Sequence, residues 1–305
     1  MITLQKEKFA AGKKPSERPM SEFLDYSIVP IDKPVGPTSH EVSAHARRIV
    51  GVKKSGHSGT LDADVSGVLP VLFGNACKVA GLLLREGKEY VCVFELGAPV
   101  ERSELDEAVA RFRGPIYQCP PEASAVKKEL RIRRIYSLDV LEHTGKWVLF
   151  TASVQHGTYI RKLCTDLGEV LGVGGRMAEL RRTRAGGFTE AHCVTLQALS
   201  DAVWLWRERG DETELRKMLR PVETVLSLKC VVVSDGALKP VTSGANVAIP
   251  GILSLDEGIE RDDIVQILSG KGELACIAKA LYSTGEIKAR RNGIAFDVER
   301  VIRAF

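Results

Sequence analysis

The stretch W-V-L-F-T-A-S-V-Q-H-G-T-Y-I-R-K-L-C-T-D-L-G-E-V-L, Trp147–Leu171, changes its periodicity midway. Trp147–Val154 reads as a strand. From Thr158 onward Ile160, Leu163, Leu167, Val170 and Leu171 recur at helical spacing, which predicts an amphipathic helix over Thr158–Leu171. The neighbouring segments carry both kinds of signal.

Reading toward the N-terminus, Ile132–Leu141 is strand-like and Ser103–Arg113 a short helix with Leu105, Val109 and Phe112 on one face. Glu89–Leu96 reads as a buried strand, Lys78–Leu84 as a helix and Val68–Phe73 as an apolar run behind a loop, Gly56–Gly67. Thr38–Val50 predicts a helix. Thr38 and Glu41 have capping-box spacing, Val42, Ala46, Ile49 and Val50 form one stripe, and Gly51 can end it. Leu24–Ile31 looks like a strand that stops at Asp32-Lys33-Pro34, and residues 1–22 look like a tail pinned against something rather than self-folding.

Toward the C-terminus, helical character runs through Thr195–Trp206 and, after a polar stretch, to Leu219. The rhythm then changes. Cys230–Val233, Val247–Ile249, Ile264–Leu268 and Leu274–Ala280 are short β-rich runs set between turns such as Pro250-Gly251 and Ser269-Gly270, as in a small barrel. The boundary falls between Pro221 and Lys229. The expected division is a tail over 1–25, a first domain over 26–225 and a second over 226–305.

Composition excludes several classes of function. With 305 residues and 44% hydrophobic content the chain can bury a sizeable core. No apolar run approaches the roughly 18–20 residues that span a bilayer, and the charged opening is no signal peptide, so a soluble, cytoplasmic protein is expected. Seven cysteines lie far apart with no C-x-x-C, which argues for reduced thiols and against a metal site. The net charge is +4, and residues 229–305 hold ten basic and ten acidic residues, so the surplus sits before them. Basic clusters such as Arg47-Arg48, Lys53-Lys54, Lys127-Lys128 and Arg133-Arg134 suit a polyanion track, although solvated surface gives the same pattern.

Chemistry first shows in G-H-S-G-T-L-D, Gly56–Asp62. Small residues around one carboxylate let the backbone approach a ligand with Asp62 projecting. An Asp in a turn ordinarily serves as a cap, and the loop lacks the G-K-[ST] ending of a phosphate cradle. In G-T-Y-I-R, Gly157–Arg161, the core-facing Ile160 and Leu163 turn Arg161 to the opposite face, where it could pair with a carboxylate; a surface salt bridge is the plainer reading. Tyr90, near a strand start, could sit in the core or stack on a flipped base.

Taken together, D-K-P-V-G-P-T-S (Asp32–Ser39), G-H-S-G-T-L-D (Gly56–Asp62), G-K-E-Y (Gly87–Tyr90), G-T-Y-I-R (Gly157–Arg161) and E-L-R-R (Glu179–Arg182) occur in the order seen in TruB-type pseudouridine synthases. The chain resembles the archaeal and eukaryotic dyskerin branch most, since Pro120–Tyr136 runs straight into a basic strand without the longer bacterial thumb insertion. Residues 229–305 resemble a PUA domain, notably at Ser243–Ile252 and Gly258–Val265.

The resemblance implies an α+β chain with a pseudouridine synthase fold, a mixed or antiparallel sheet flanked by helices, followed by a small β-barrel PUA domain that binds RNA. It implies Asp62 as the catalytic Asp, Tyr90 as the ring against the uracil, Arg161 as the ion-pair partner of Asp62 and Leu180 as an apolar wall. His57, Tyr159 and Lys33 would contact substrate, with a structural loop role open for His57. Lys127, Lys128, Arg131, Arg133, Arg134, Arg181 and Arg182 would bind RNA. The reaction detaches uracil at N1, turns it and rejoins it through C5, with no cofactor and no metal. The carboxylate could add to C6, attack C1′, or remove the 2′ proton to give a glycal, the route preferred here. Each needs the nucleotide out of its stack.

The implied partners are an H/ACA guide RNA, ribosomal or transfer RNA substrate, a small zinc-ribbon-type or peptide-like protein, a small β-barrel protein and a kink-turn binding protein, with no membrane. The alternatives are a stand-alone enzyme for the T-loop of transfer RNA and a non-catalytic RNA scaffold; the intact set Asp62, Tyr90 and Arg161 argues against the scaffold. Three departures bear on fine positioning and RNA affinity: Ala63 where Pro usually follows the catalytic Asp, Glu122 where Arg is common, and His156 where a small residue is common.

Overall fold

The computed structural model describes residues 1–5, 9–120 and 127–305; Glu122 lies outside them. The first half of the chain and part of the second build a ten-stranded mixed sheet among the described residues. Its main path runs Arg220–Pro221, Ser27–Lys33, Ser66–Phe73, Gly175–Ala185, Lys88–Leu96, Trp147–Val154, Arg131–Thr144, Gly114–Gln118. Neighbours on this path are antiparallel except where Ser66 and Gly67 run parallel to Arg181 and Arg182.

That parallel contact joins two half-sheets, and Gly67 is what permits it. Its φ is +106°, and a Cβ there would meet the Arg182 carbonyl oxygen at 2.2 Å. On one half-sheet the helices Ser39–Val50, Leu196–Arg209 and Thr213–Met218 bury Val42, Ala46, Leu199, Val203 and Leu215 with Ile31 and Val71. On the other, Ile160–Val170 and Arg102–Arg111 bury Leu163, Leu167, Leu105 and Val109 against Cys92, Phe94 and Phe150. Gly168 lets the first of these helices lie close, since a Cβ there would meet Gly174 C at 2.3 Å.

The helix over Ser39–Val50 forms where its signals placed it. Thr38 Oγ1 accepts from Glu41 N at 3.2 Å, Glu41 Oε2 accepts from Thr38 N at 2.8 Å, and Gly51 closes the end in the left-handed region. Other readings need correcting. Leu24 belongs to a helix, Met20–Asp25, and the strand begins at Ser27, because Met20, Phe23 and Leu24 form one buried face. The start of the expected Lys78–Leu84 helix is a 3-10 turn over Gly74–Val79. The central strand Gly175–Ala185 was not expected at all, since arginines occupy its positions where apolar residues would have marked alternation.

Among the described residues, the C-terminal unit builds most of a seven-stranded sheet with two α-helices, Asp235–Thr242 and Thr284–Ala289, around a core of Val231, Val265, Ile267, Ala278 and Phe296. The residues read as a tail join it: Ile2 and Thr3 pair with Leu255 and Ser254 at its edge. Leu274, Ile277 and Ile302 of this unit also pack against Ile28, Val68, Leu72 and Val222 of the first. Beside that contact the fully buried Arg18 guanidinium reaches Glu223 at 2.6 Å and Glu273 at 3.1 Å. Arg18 and Arg303 lie 5.1 and 5.0 Å from the centre of the Tyr26 ring. No helix among the described residues is long and apolar enough to cross a membrane.

Candidate active site

The loop after Ser55–His57 is held by buried groups beneath it. Ser39 Oγ accepts from Leu61 N at 2.7 Å and donates to Leu61 O at 2.9 Å. The Lys33 amine donates to Val65 O at 2.7 Å, Pro34 O at 2.9 Å and Ala63 O at 3.4 Å. Both clamps act on backbone, so the loop is fixed while Asp62 stands between them with its side chain 65% exposed. Lys33 itself is completely buried, so the expectation that it contacts substrate is corrected: it anchors the loop.

A cavity of about 800 Å³ opens beside this loop, at the seam of the two half-sheets. The loop supplies Gly59, Thr60, Leu61, Asp62 and Val65; the strand Lys88–Leu96 supplies Lys88 and Tyr90; the segment before and inside the helix Ile160–Val170 supplies Tyr159, Ile160 and Arg161; and Met177, Leu180 and Arg182 complete it. Apolar walls with a few polar groups suit a flat base taken out of its stack.

Arg161 Nη2 lies 3.3 Å from Asp62 Oδ2. It also meets Asp64, a residue the sequence reading passed over, at 3.3 Å and 3.1 Å. Partial burial works against the charged guanidinium, but hydrogen bonds and attraction from Asp64 and Asp62 outweigh it and raise the Arg161 pKa. Tyr159, which precedes the helix, is set by Gln118: its N–H donates to Gln118 Oε1 at 3.0 Å and its carbonyl accepts from Gln118 Nε2 at 3.1 Å.

Arg182 lies opposite Tyr90 in the strand register and is 1% exposed. Its guanidinium donates to Val68 O at 2.8 Å and Gly59 O at 3.2 Å. The expectation of an RNA phosphate contact is corrected for this residue, because the group is enclosed and forms part of the cavity wall. Arg181, partly exposed, is engaged by Asp32 at 3.0 Å and by Glu190 at 2.5 Å.

Lys88 is the second group that sequence reasoning missed, although it stands inside G-K-E-Y. Its amine donates to Leu84 O and Glu86 O at 2.7 Å and to Leu83 O at 3.3 Å, which caps the helix Ala80–Leu84. Burial, with repulsion from Arg182, pulls its pKa down to about 8.

His57 does not line the cavity. It sits in the strand Ser55–His57 opposite Val71, its buried Nδ1 without a hydrogen-bond partner, and burial together with Arg182 holds its pKa below the ordinary value. Lys127, Lys128 and Arg134 are exposed, and Arg131 and Arg133 partly so. Arg133 Nε donates to Gly157 O at 3.3 Å, so the basic strand touches the cavity rim.

Three family models divide most of the chain. Residues 47–160 match the TruB family pseudouridylate synthase N-terminal domain, 161–227 the tRNA pseudouridylate synthase B C-terminal domain and 229–302 the PUA domain. A fourth, the DKCLD (NUC011) domain, matches residues 3–43. A probable tRNA pseudouridine synthase B of Methanosarcina barkeri is 47% identical over 292 residues, covering 95% of this chain and 86% of the relative. Its counterpart in Archaeoglobus fulgidus is 45% identical, covering 95% and 90%.

Among solved structures, a Cbf5–Nop10–Gar1 complex aligns with a TM-score of 0.90 and 42% identity, covering 99% of this chain and 92% of the matched one. An H/ACA ribonucleoprotein bound to a substrate RNA containing 2′-deoxyuridine aligns with a TM-score of 0.89 and 40% identity, again covering 99% and 92%. With the cavity, its loop and these matches agreeing along nearly the whole length, the chain belongs to the TruB family of pseudouridine synthases.

Proposed function

We propose that this enzyme isomerises uridine in RNA with Asp62 as its catalytic carboxylate, as the catalytic subunit of an H/ACA guide-RNA complex. The observation that carries the site reading is the place of Asp62: it is the one carboxylate among the described residues that line the cavity, and a guanidinium lies beside it. Arg161 lies against that carboxylate, and Tyr90 and Leu180 bound the space for a flipped base, with Tyr159 at the rim. The fixed backbone of residues 61–65 spares the reacting group the cost of being ordered during the reaction.

Residues 26–225 are assigned the chemistry and 226–305 the grip on RNA, with the basic strand over 127–134 adding phosphate contacts. Guide dependence is supported by the likeness, over 99% of the chain, to a protein solved within an H/ACA ribonucleoprotein. Protein partners akin to the Nop10 and Gar1 named in the matched complexes, and a substrate RNA, are supported by the same likeness, and a guide RNA belongs to the complex proposed. Action on transfer RNA without a guide is the second reading, favoured by the names of the curated relatives. An RNA substrate and unpaired cysteines support action in the cytoplasm.

Tritium release from C5-labelled uridine RNA separates the readings. Release that requires guide RNA and partner proteins is expected. Full release from transfer RNA by the protein alone would replace the first reading by the second.

A further inference from the structure

The turn that carries Asp62 carries a second carboxylate. Val65 N donates to Asp62 O at 3.1 Å, so residues 62–65 close tightly, and Asp62 and Asp64 both face the first turn of the helix Ile160–Val170. One nitrogen there, Arg161 Nη2, serves both. It meets Asp62 through Oδ2 alone, at 3.3 Å, but Asp64 through Oδ1 and Oδ2, at 3.3 and 3.1 Å. Asp62 lines the cavity and Asp64 does not. The cation is therefore shared between an inner and an outer carboxylate, and the outer one holds it by both oxygens.

We propose that Asp64 is a positioning residue for the isomerisation: it retains the Arg161 guanidinium on the outer side of the turn, so that Asp62 is only partly engaged and its Oδ1 stays available to the nucleotide. The proposal rests on Asp62 being the catalytic carboxylate. A guanidinium left alone with one carboxylate takes both of its oxygens in a fork, the strongest geometry open to the pair. That arrangement would occupy Asp62 and make it a weaker base or nucleophile. Other charged groups face the two carboxylates from beneath and behind. The Lys33 amine under the loop feels both, and Lys88 and Arg182 line the cavity beyond Asp62. None of these can take over from Asp64, because each is a cation that repels the Arg161 guanidinium and already donates to backbone carbonyls.

Asp64→Asn keeps the shape and removes the charge, Asp64→Ala removes both, and Asp64→Glu keeps the charge. Each would be assayed in the full guide-RNA complex by single-turnover pseudouridine formation across pH, with RNA affinity and melting temperature measured in parallel. For Asn and Ala the rate at neutral pH falls by about tenfold, the scale of a modest mispositioning of a reacting group. The acid limb of the rate profile moves to lower pH, because Asp62 then has the cation to itself. RNA affinity does not weaken, since a negative charge has been removed near a polyanion, and Glu restores most of the rate.

A rate and acid limb equal to wild type in Asp64→Asn overturn the proposal. So does a rate lost together with melting temperature while the acid limb stays in place, which is the behaviour of a merely structural turn residue. Asp62→Asn is run alongside. If it is active, the assignment of Asp62 fails and the role of Asp64 with it; if it is inactive beside an unaffected Asp64→Asn, only the role of Asp64 fails.

Discussion

Asp62→Asn replaces a carboxylate oxygen by an amide nitrogen and leaves the turn intact, because Ser39 and Lys33 hold that turn through backbone atoms. Pseudouridine formation is expected to vanish while RNA binding changes little; turnover within about tenfold of wild type would sink the mechanism. Arg161→Ala leaves Asp62 and Asp64 without the guanidinium they share, so the rate of pseudouridine formation at neutral pH should fall. The effect on stability should be small. The Arg161 side chain is 46% exposed and that of Asp62 65%, so the loss in a denaturant titration should be no more than about 1 kcal/mol. The loop over Gly56–Asp62, the Tyr90 ring and the Arg161–Asp62 pair were singled out through the resemblance of short motifs, and the structure brings all three to one cavity. The roles of Lys33 and Arg182 were not legible, because a basic residue gives no sign in sequence of whether its amine or guanidinium meets RNA or a buried carbonyl. Asp64 was hidden for another reason: its meaning lies in a guanidinium 97 positions away.

At the scale of elements, helices that announce themselves by caps and stripes were found within a residue or two, whereas the central strand Gly175–Ala185 was not. Its arginines serve the cavity and the adjoining carboxylates, and function there overrode the hydrophobic pattern. Lys88 shows the same override at a helix end. Lys88→Met should leave the carbonyls of Leu83, Leu84 and Glu86 without their donor and cost on the order of 1–3 kcal/mol in chemical unfolding. The sign of its pH effect follows from a folded pKa of about 8, below the ordinary lysine value. Between the two values the unfolded chain holds the proton more tightly, so the Lys88 contribution to stability rises with pH across that interval, and Lys88→Met should remove that rise. The basic strand makes a different prediction. Lys127 and Lys128 are exposed and Arg131 is partly so; replacing all three with Ala should weaken RNA binding and lower the slope of log K against log salt by about one unit for each phosphate left without its cation. A wild-type slope would reduce the segment to a solvated strand.

For the whole molecule, the two sheets are less separable than the change of rhythm near Pro221 suggests. Removing residues 229–305 takes Leu274, Ile277 and Ile302 away from Ile28, Val68 and Leu72 and strips Glu273 from Arg18. The remaining part should therefore lose stability as well as RNA affinity. Arg18→Ala probes the same seam directly. With both Glu223 and Glu273 left buried without their shared cation, a loss of about 3–5 kcal/mol is expected; a melting temperature equal to wild type would mean that Arg303 suffices. The pairing of Ile2 and Thr3 with Leu255 and Ser254 has a consequence in time. A growing chain leaves the ribosome from its first residue, and domains form as their residues emerge. The strand over Ile2–Thr3 is thus made long before its partner, and waits unpaired while the larger sheet assembles from strands made after it. Bulk added beside that strand would burden the sheet that is finished last rather than the cavity of the one finished first.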